Sequence, residues 1–170
     1  MGMIFSHVYM LPWKAAARKA EKVAGKRLVA LALRKAGSRI AGKLLTGSKE
    51  WTKAFEHIAE HFSEEALQHK ISHSVFRATL RSRSLLEPLL KDAVLKPSRK
   101  VVSQLRLHGV SLGRVCVIIE REFADVIGED ITHTAEGVVR RPAKILRVVV
   151  DITGRPITAF PVLEFLPAGG

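Results

Sequence analysis

Ile145-Leu-Arg-Val-Val-Val-Asp151, Ile152-Thr-Gly-Arg155 and Pro156-Ile-Thr-Ala-Phe-Pro-Val-Leu-Glu-Phe165 form the stretch whose reading decides the fold. Its β-branched and aromatic residues suit a pleated, half-buried surface, and Thr153-Gly154-Arg155 supplies a tight turn between the two runs. The stretch therefore predicts a closing hairpin. Towards the N-terminus, Arg114 to Glu120 and Glu122 to Ile127 share the same richness in Val, Ile and Phe, with breaks at Gly113, Gly128, Gly137 and Gly154. Short strands in an antiparallel sheet follow from that pattern.

Before Gly109 the spacing of apolar residues is helical. Trp51, Phe55, Ile58 and Phe62 recur every three or four positions, predicting an amphipathic helix over Ser48 to Phe62 with Ser48 as its N-cap. A second helical stretch is expected over Ser74 to Leu80. A third is expected from about Ser84 to Leu95, stopped by Pro97. Ser98 to Leu107 reads as another helix or as the first strand. Helices first and strands afterwards make an α+β domain, not the alternation of a parallel α/β sheet.

Charge divides the chain. Lys and Arg number 28 against 16 Asp and Glu, a net +12. Between Lys14 and Lys49 eleven cations face one acid, Glu21, which places +10 of the excess in one segment. Residues 1–47 are accordingly expected to be a basic helical extension or linker, and residues 48–170 the folded α+β domain. So much positive charge favours phosphate-rich or acidic partners, and by itself it does not distinguish nucleic acid from an anionic membrane or an acidic protein. A length of 170 residues leaves no room for two large domains.

The single cysteine, Cys116, lies in the apolar run Val115 to Ile119 and reads as a small buried hydrophobe, so neither an internal disulfide nor a cage of several thiolates can form. No apolar run approaches the roughly 18 to 20 residues of a membrane span. Leu28 to Leu33 is also too short for a secretory signal, and the chain is expected to act in cytoplasm.

Chemistry points to the histidines. His57, His61, His69 and His73 are four of the seven in the chain. His57 and His61, four apart, would share one face of a helix. An imidazole titrates near neutrality and can take a proton from one oxygen while a protonated partner donates to another. RNA carries its own nucleophile, because its 2′-hydroxyl can attack the adjacent phosphorus. A ribonuclease without metal or other cofactor then needs only a base, an acid and cations around the phosphate. Arg77, Arg81, Arg83, Lys144 and Arg147 are the candidates for the last role.

The same residues allow a second reading. His57-Ile-Ala-Glu60-His61 fits H-x-x-E-H, an inverted zinc-protease signature, with Glu120 or Glu136 as third ligand. A third reading needs no catalysis at all: a nucleic-acid-binding or partner-binding module. Neither a Walker loop nor a dinucleotide fingerprint occurs.

The order of parts also resembles a known group. Phe55-x-His57-Ile58-x-x-x-His61-Phe62, then Ser74-x-Phe76, Ile127-Gly128 and the hairpin Arg147 to Pro161 resemble the small nuclease toxins of the barnase, EndoU, colicin and RelE type, effector domains of bacterial contact-dependent and polymorphic toxins. The resemblance covers roughly Trp51 to Phe165. It implies N-terminal helices packed on a C-terminal four-stranded antiparallel sheet, and a metal-independent endoribonuclease, often directed at tRNA. It further implies a cognate immunity protein, expected here to be acidic. Carried across by motif, it points to His57 and His61 as catalytic, to Thr158 as a hydroxyl bonded to the phosphate, and to Phe160 as core or base contact. The EndoU pattern of a glycine-rich segment ending in a second catalytic histidine is missing, which leaves acid and base unassigned.

Overall fold

The structure, a computed structural model, describes residues 37–41, 49–107, 110–151 and 154–167, with the backbone alone over 103–107 and 110–115. Most of the expected basic extension thus lies outside the described residues. Ile40, which precedes the expected boundary at 47, is fully buried in the main core.

Helix α1 (Lys49–Ile58) buries Trp51, Ala54, Phe55 and Ile58, the stripe its spacing predicts. The α-helix stops at Ile58, and Ala59–Phe62 tighten into a 3-10 turn. A further 3-10 turn, Glu65–Gln68, leads to strand β1 (Ser72–Phe76). Helix α2 (Arg83–Leu95) is capped by Ser82, whose Oγ accepts from the Leu85 N–H at 3.3 Å. Six strands follow: β2 (Arg99–Leu107), β3 (Val110–Glu122), β4 (Gly128–Thr134), β5 (Gly137–Ala143), β6 (Ile145–Asp151) and β7 (Pro156–Val162).

These strands make two antiparallel sheets, one of three strands in the order β1-β4-β5 and one of four in the order β2-β3-β6-β7. One face of the larger sheet carries Val117 and Ile119 from β3, Leu146, Val148 and Val150 from β6, and Ala159 from β7. Those side chains form the main core with Trp51, Phe55 and Ile58 of α1 and Leu86, Leu90 and Val94 of α2. On the other face, alternation places Cys116, Ile118 and Val149 in a second cluster, against which Phe160 and Leu166 pack. Between β6 and β7 Gly154 takes φ 82°, donating to Asp151 O at 3.0 Å, while the Asp151 N–H reaches Arg155 O at 2.9 Å. The two sheets abut at Gly128, where a Cβ would lie 2.4 Å from Val75 O and 2.8 Å from Pro161 Cγ.

The α+β class and the closing hairpin are as the sequence indicates, and Ser98 to Leu107 resolves to strand. Two expectations are corrected. Ser74 to Leu80 is not a helix: Ser72-His73-Ser74-Val75 alternates, and β4 supplies its backbone partners. Glu122 to Ile127 is not a separate strand: Glu122 ends β3, and 123–127 connect the sheets, anchored by Phe123 N–H to Lys144 O and Ile127 N–H to Ala143 O, each at 2.8 Å. The hairpin β4–β5 has no counterpart in the sequence reading. Its second strand is exposed everywhere but Ala143 and contains Pro142, which an edge strand tolerates, so it carries no apolar signal.

Candidate functional site

Pairing of β1 with β4 uses the odd-numbered residues, since Ile71 O accepts from the His133 N–H at 2.9 Å and the Arg77 N–H donates to Ile127 O at 3.0 Å. The even-numbered carbonyls of β1 therefore face the strand's other edge. Side chains take two of them: His61 Nδ1 is 2.7 Å from Ser74 O, and Arg81 Nε donates to Phe76 O at 2.8 Å. A carbonyl only accepts, so Nδ1 of His61 carries the proton, and Nε2 holds the lone pair of the neutral ring. Ser74 Oγ lies 3.2 Å from the same Nδ1.

The His61 ring is held by stacking as well. Its centroid is 5.2 Å from that of Phe160 and 4.8 Å from that of His73, with planes inclined by 22° and 15°. His73, buried, donates from Nε2 to Glu60 O at 2.9 Å, tying down the turn that bears His61. Burial is the leading cause that lowers the His61 pKa below its ordinary 6.5, and the charges of His73 and Lys70 push the same way. The Ser74 contact and Glu60 oppose them.

His61 and His73 open onto a cleft of about 540 Å³, shared by the edges of both sheets. Its cations are Lys70, Arg141 and Arg147, its hydroxyls Ser72 and Ser74, and its acids Asp130 and Glu164. Arg141 stands 3.8 Å from Asp130, which also accepts from Thr132 Oγ1 at 3.2 Å. Arg147 is committed more firmly. Its Nε donates to Glu120 at 2.8 Å, Nη2 donates to Glu164 O at 3.2 Å, and the guanidinium lies 5.9 Å from the Phe160 centroid.

The residues expected from sequence separate accordingly. His61, Arg147 and Phe160 line the cleft together, whereas His57 is exposed and is not among its lining residues. The expected histidine pair shares no face, because α-helix advances about 100° per residue while the 3-10 turn that carries His61 advances about 120°. Thr158, half-buried, pairs with Val149 two positions from Phe160 on β7, and also stays out of the cleft lining. Arg77 donates to Val126 O at 3.0 Å and, with Arg81, borders a separate hollow of about 170 Å³ beside Arg140. There Arg140 grips Glu64 with both Nη atoms, at 2.7 and 2.9 Å, and holds that carboxyl below its usual range. Lys144 is exposed on the link between β5 and β6.

The zinc arrangement does not assemble from these residues. Glu120 is fully buried and engaged by Arg147 and the Leu166 N–H, and His57 is exposed, outside the cleft lined by His61. Among the described residues no group of three or more His, Cys, Asp or Glu is placed to hold a metal ion. Nor is any described helix long and apolar enough to cross a membrane.

Compared with known protein families, curated proteins and solved structures, the chain matches none. Of the cleft-lining residues the sequence pattern signals His73 only as a member of the histidine cluster, and it does not single out Lys70, Asp130 or Arg141. Arg141 belongs to β5, whose exposed residues carry no apolar signal.

The lowered His61 pKa has a consequence for stability. Between 6.5 and the folded value, the unfolded chain binds a proton that the folded chain does not. Stability is then full above about 6.5 and falls as the pH drops towards the folded value. Thermal unfolding midpoints should decrease from neutral pH to pH about 5.5, and less steeply in His61→Phe, which keeps the stack. Equal slopes in parent and variant would show that His61 titrates as a free imidazole.

Proposed function

We propose that this chain is a metal-independent endoribonuclease of the toxin type, with His61 as general base. The observation that carries the reading is the 2.7 Å contact of His61 Nδ1 with Ser74 O: a carbonyl only accepts, so the proton sits on Nδ1 and the neutral imidazole keeps its lone pair on Nε2, in a residue that lines a cleft with Lys70 and Arg141. Depression of the pKa by burial keeps that nitrogen unprotonated at neutral pH.

In this mechanism Nε2 of His61 takes the proton of the 2′-hydroxyl as its oxygen attacks phosphorus. Lys70 and Arg141 neutralise the phosphate oxygens, and the hydroxyls of Ser72 and Ser74 add hydrogen bonds. The stacked imidazoles leave no room for a phosphorus between them, so they do not act as base and acid from opposite sides. The proton for the 5′-oxygen comes from another cleft donor, for which the Lys70 ammonium is the candidate, because a guanidinium such as that of Arg141 holds the phosphate but does not give up its proton. The basic segment before residue 48 adds non-specific affinity for the polyanion. An acidic immunity protein covering Lys70 and Arg141 would block the cleft and associate rapidly.

Incubation of labelled single-stranded RNA with the full chain in EDTA tests this. Products ending in 2′,3′-cyclic phosphate are expected. Activity that disappears in chelator and returns with zinc would defeat the proposal.

The alternative is a non-catalytic nucleic-acid-binding or partner-binding module. Its support is that His61 also does structural work, capping an edge-strand carbonyl and packing against two rings. Salt-dependent RNA binding with intact RNA after incubation would favour it.

A further inference from the structure

Glu120 is out of keeping with its surroundings. On the same face of β3 the alternate positions are Cys116 and Ile118, both buried and apolar, and the pattern calls for another hydrophobe at 120. A fully buried carboxylate stands there instead. Buried ion pairs are weak contributors to stability compared with apolar side chains of similar volume, so its presence asks for another explanation.

The register supplies one. Glu120 lies directly opposite Arg147 across β3 and β6, and Arg147 lies directly opposite Phe160 across β6 and β7. The three side chains occupy one rung of the sheet. The row continues past the edge strand, since Phe160 stacks on His61 and His61 on His73. Its far end is locked by the C-terminal segment, where the Leu166 N–H donates to Glu120 at 3.0 Å and Glu164 O accepts from Arg147. Nε and one Nη of the guanidinium are committed in this way, with its charge beside a carboxylate and Phe160 within cation–π range.

We propose that Glu120, Arg147 and Phe160 are positioning residues that hold the His61 ring against Ser74 O and towards the cleft, and are not contacts to the nucleic acid. The proposal rests on the reading of His61 as the base. It assigns phosphate binding to the other cleft cations, Lys70 and Arg141. It also makes Glu164 to Leu166 part of the site, because those residues fix Arg147 and Glu120. The titratable groups that face His61 are His73 from β1, Glu60 from its own turn and Lys70 from the loop before β1. None of the three belongs to the rung.

The test uses the full chain with Arg147→Lys, which keeps the charge and loses the planar fork, and with Phe160→Leu, which removes the ring and no charge. Folding is confirmed by circular dichroism. Two quantities are read: the titration and tautomer of His61 by NMR, and single-turnover cleavage of a labelled single-stranded RNA as saturating rate and half-saturating concentration. Positioning predicts that both variants lose roughly ten- to a hundredfold in saturating rate, because a small misplacement of a reacting group is costly. The half-saturating concentration should stay within about twofold, as expected when uniform binding is untouched. In both variants the His61 titration should move up towards the ordinary histidine value as water reaches a ring no longer held.

A phosphate contact by Arg147 predicts the reverse: a raised half-saturating concentration, an unchanged saturating rate and an unmoved His61 titration in Arg147→Lys. That result would overturn the proposal. If Arg147→Lys fails to fold, Phe160→Leu decides alone, and an unmoved His61 titration there overturns it equally. Should the parent leave RNA intact, the proposed function fails, while the NMR titrations still decide whether the row positions His61.

Discussion

Replacing His61 by alanine should lower single-turnover RNA cleavage by about two to four decades, the usual effect of removing a general base. His57→Ala should cleave like the parent. The contrast between them is the sharpest consequence of the structure, because the sequence alone treats the two histidines as equivalent members of a pair. His61 has its Nδ1–H on Ser74 O, its ring stacked on Phe160 and His73, and its place in the cleft. His57 is exposed on the last turn of α1 and shares none of these contacts. Thr158→Val should also be nearly silent, since Thr158 does not line the cleft. The measurement is the rate at saturating RNA in EDTA, with folding verified for each variant. Equal losses in His57→Ala and His61→Ala would mean that the turn at Ala59–Phe62 rearranges when RNA binds. Full activity in His61→Ala would remove the base from the mechanism.

The second large effect concerns stability. Trp51→Ala should cost about 3 to 5 kcal/mol, the range for large aromatic truncations in a packed core. Trp51 is 1% exposed, lies 6.0 Å from the Phe55 ring, and joins α1 to the main core. Domains of this size are stable by roughly 5 to 15 kcal/mol, so the variant should sit near the edge of folding. Trp51→Phe should cost clearly less. Among the described residues the buried indole N–H has no hydrogen-bond partner, and its removal offsets part of the lost packing. Urea unfolding followed by circular dichroism measures both. A loss below about 1 kcal/mol for Trp51→Ala, the size of an ordinary surface change, would contradict the placement of Trp51.

What the sequence determined by itself is the set of features written in local periodicity and composition. The stripe Trp51, Phe55, Ile58 fixed a helix and its buried face, because three or four residues per step is enough to define one side of a cylinder. The Val-rich and Ile-rich runs from Ile145 to Phe165 fixed a hairpin, and the order of helices and strands fixed the α+β class. The clustering of histidines singled out the segment from which His61 and His73 reach the cleft. Tertiary structure alone decided the rest. Whether Ser72 to Phe76 is strand or helix depended on a partner strand more than fifty positions away, Gly128–Thr134, whose polar residues give no sign of pairing. The face on which His61 emerges depended on one turn tightening from α to 3-10, a change in pitch that no spacing of residue types records. The rung Glu120–Arg147–Phe160 depended on the register of three strands, and register is set by cross-strand packing and by a bulge between Val149 and Val150. Local sequence specifies which way a side chain alternates, but only the assembled sheet specifies what stands beside it.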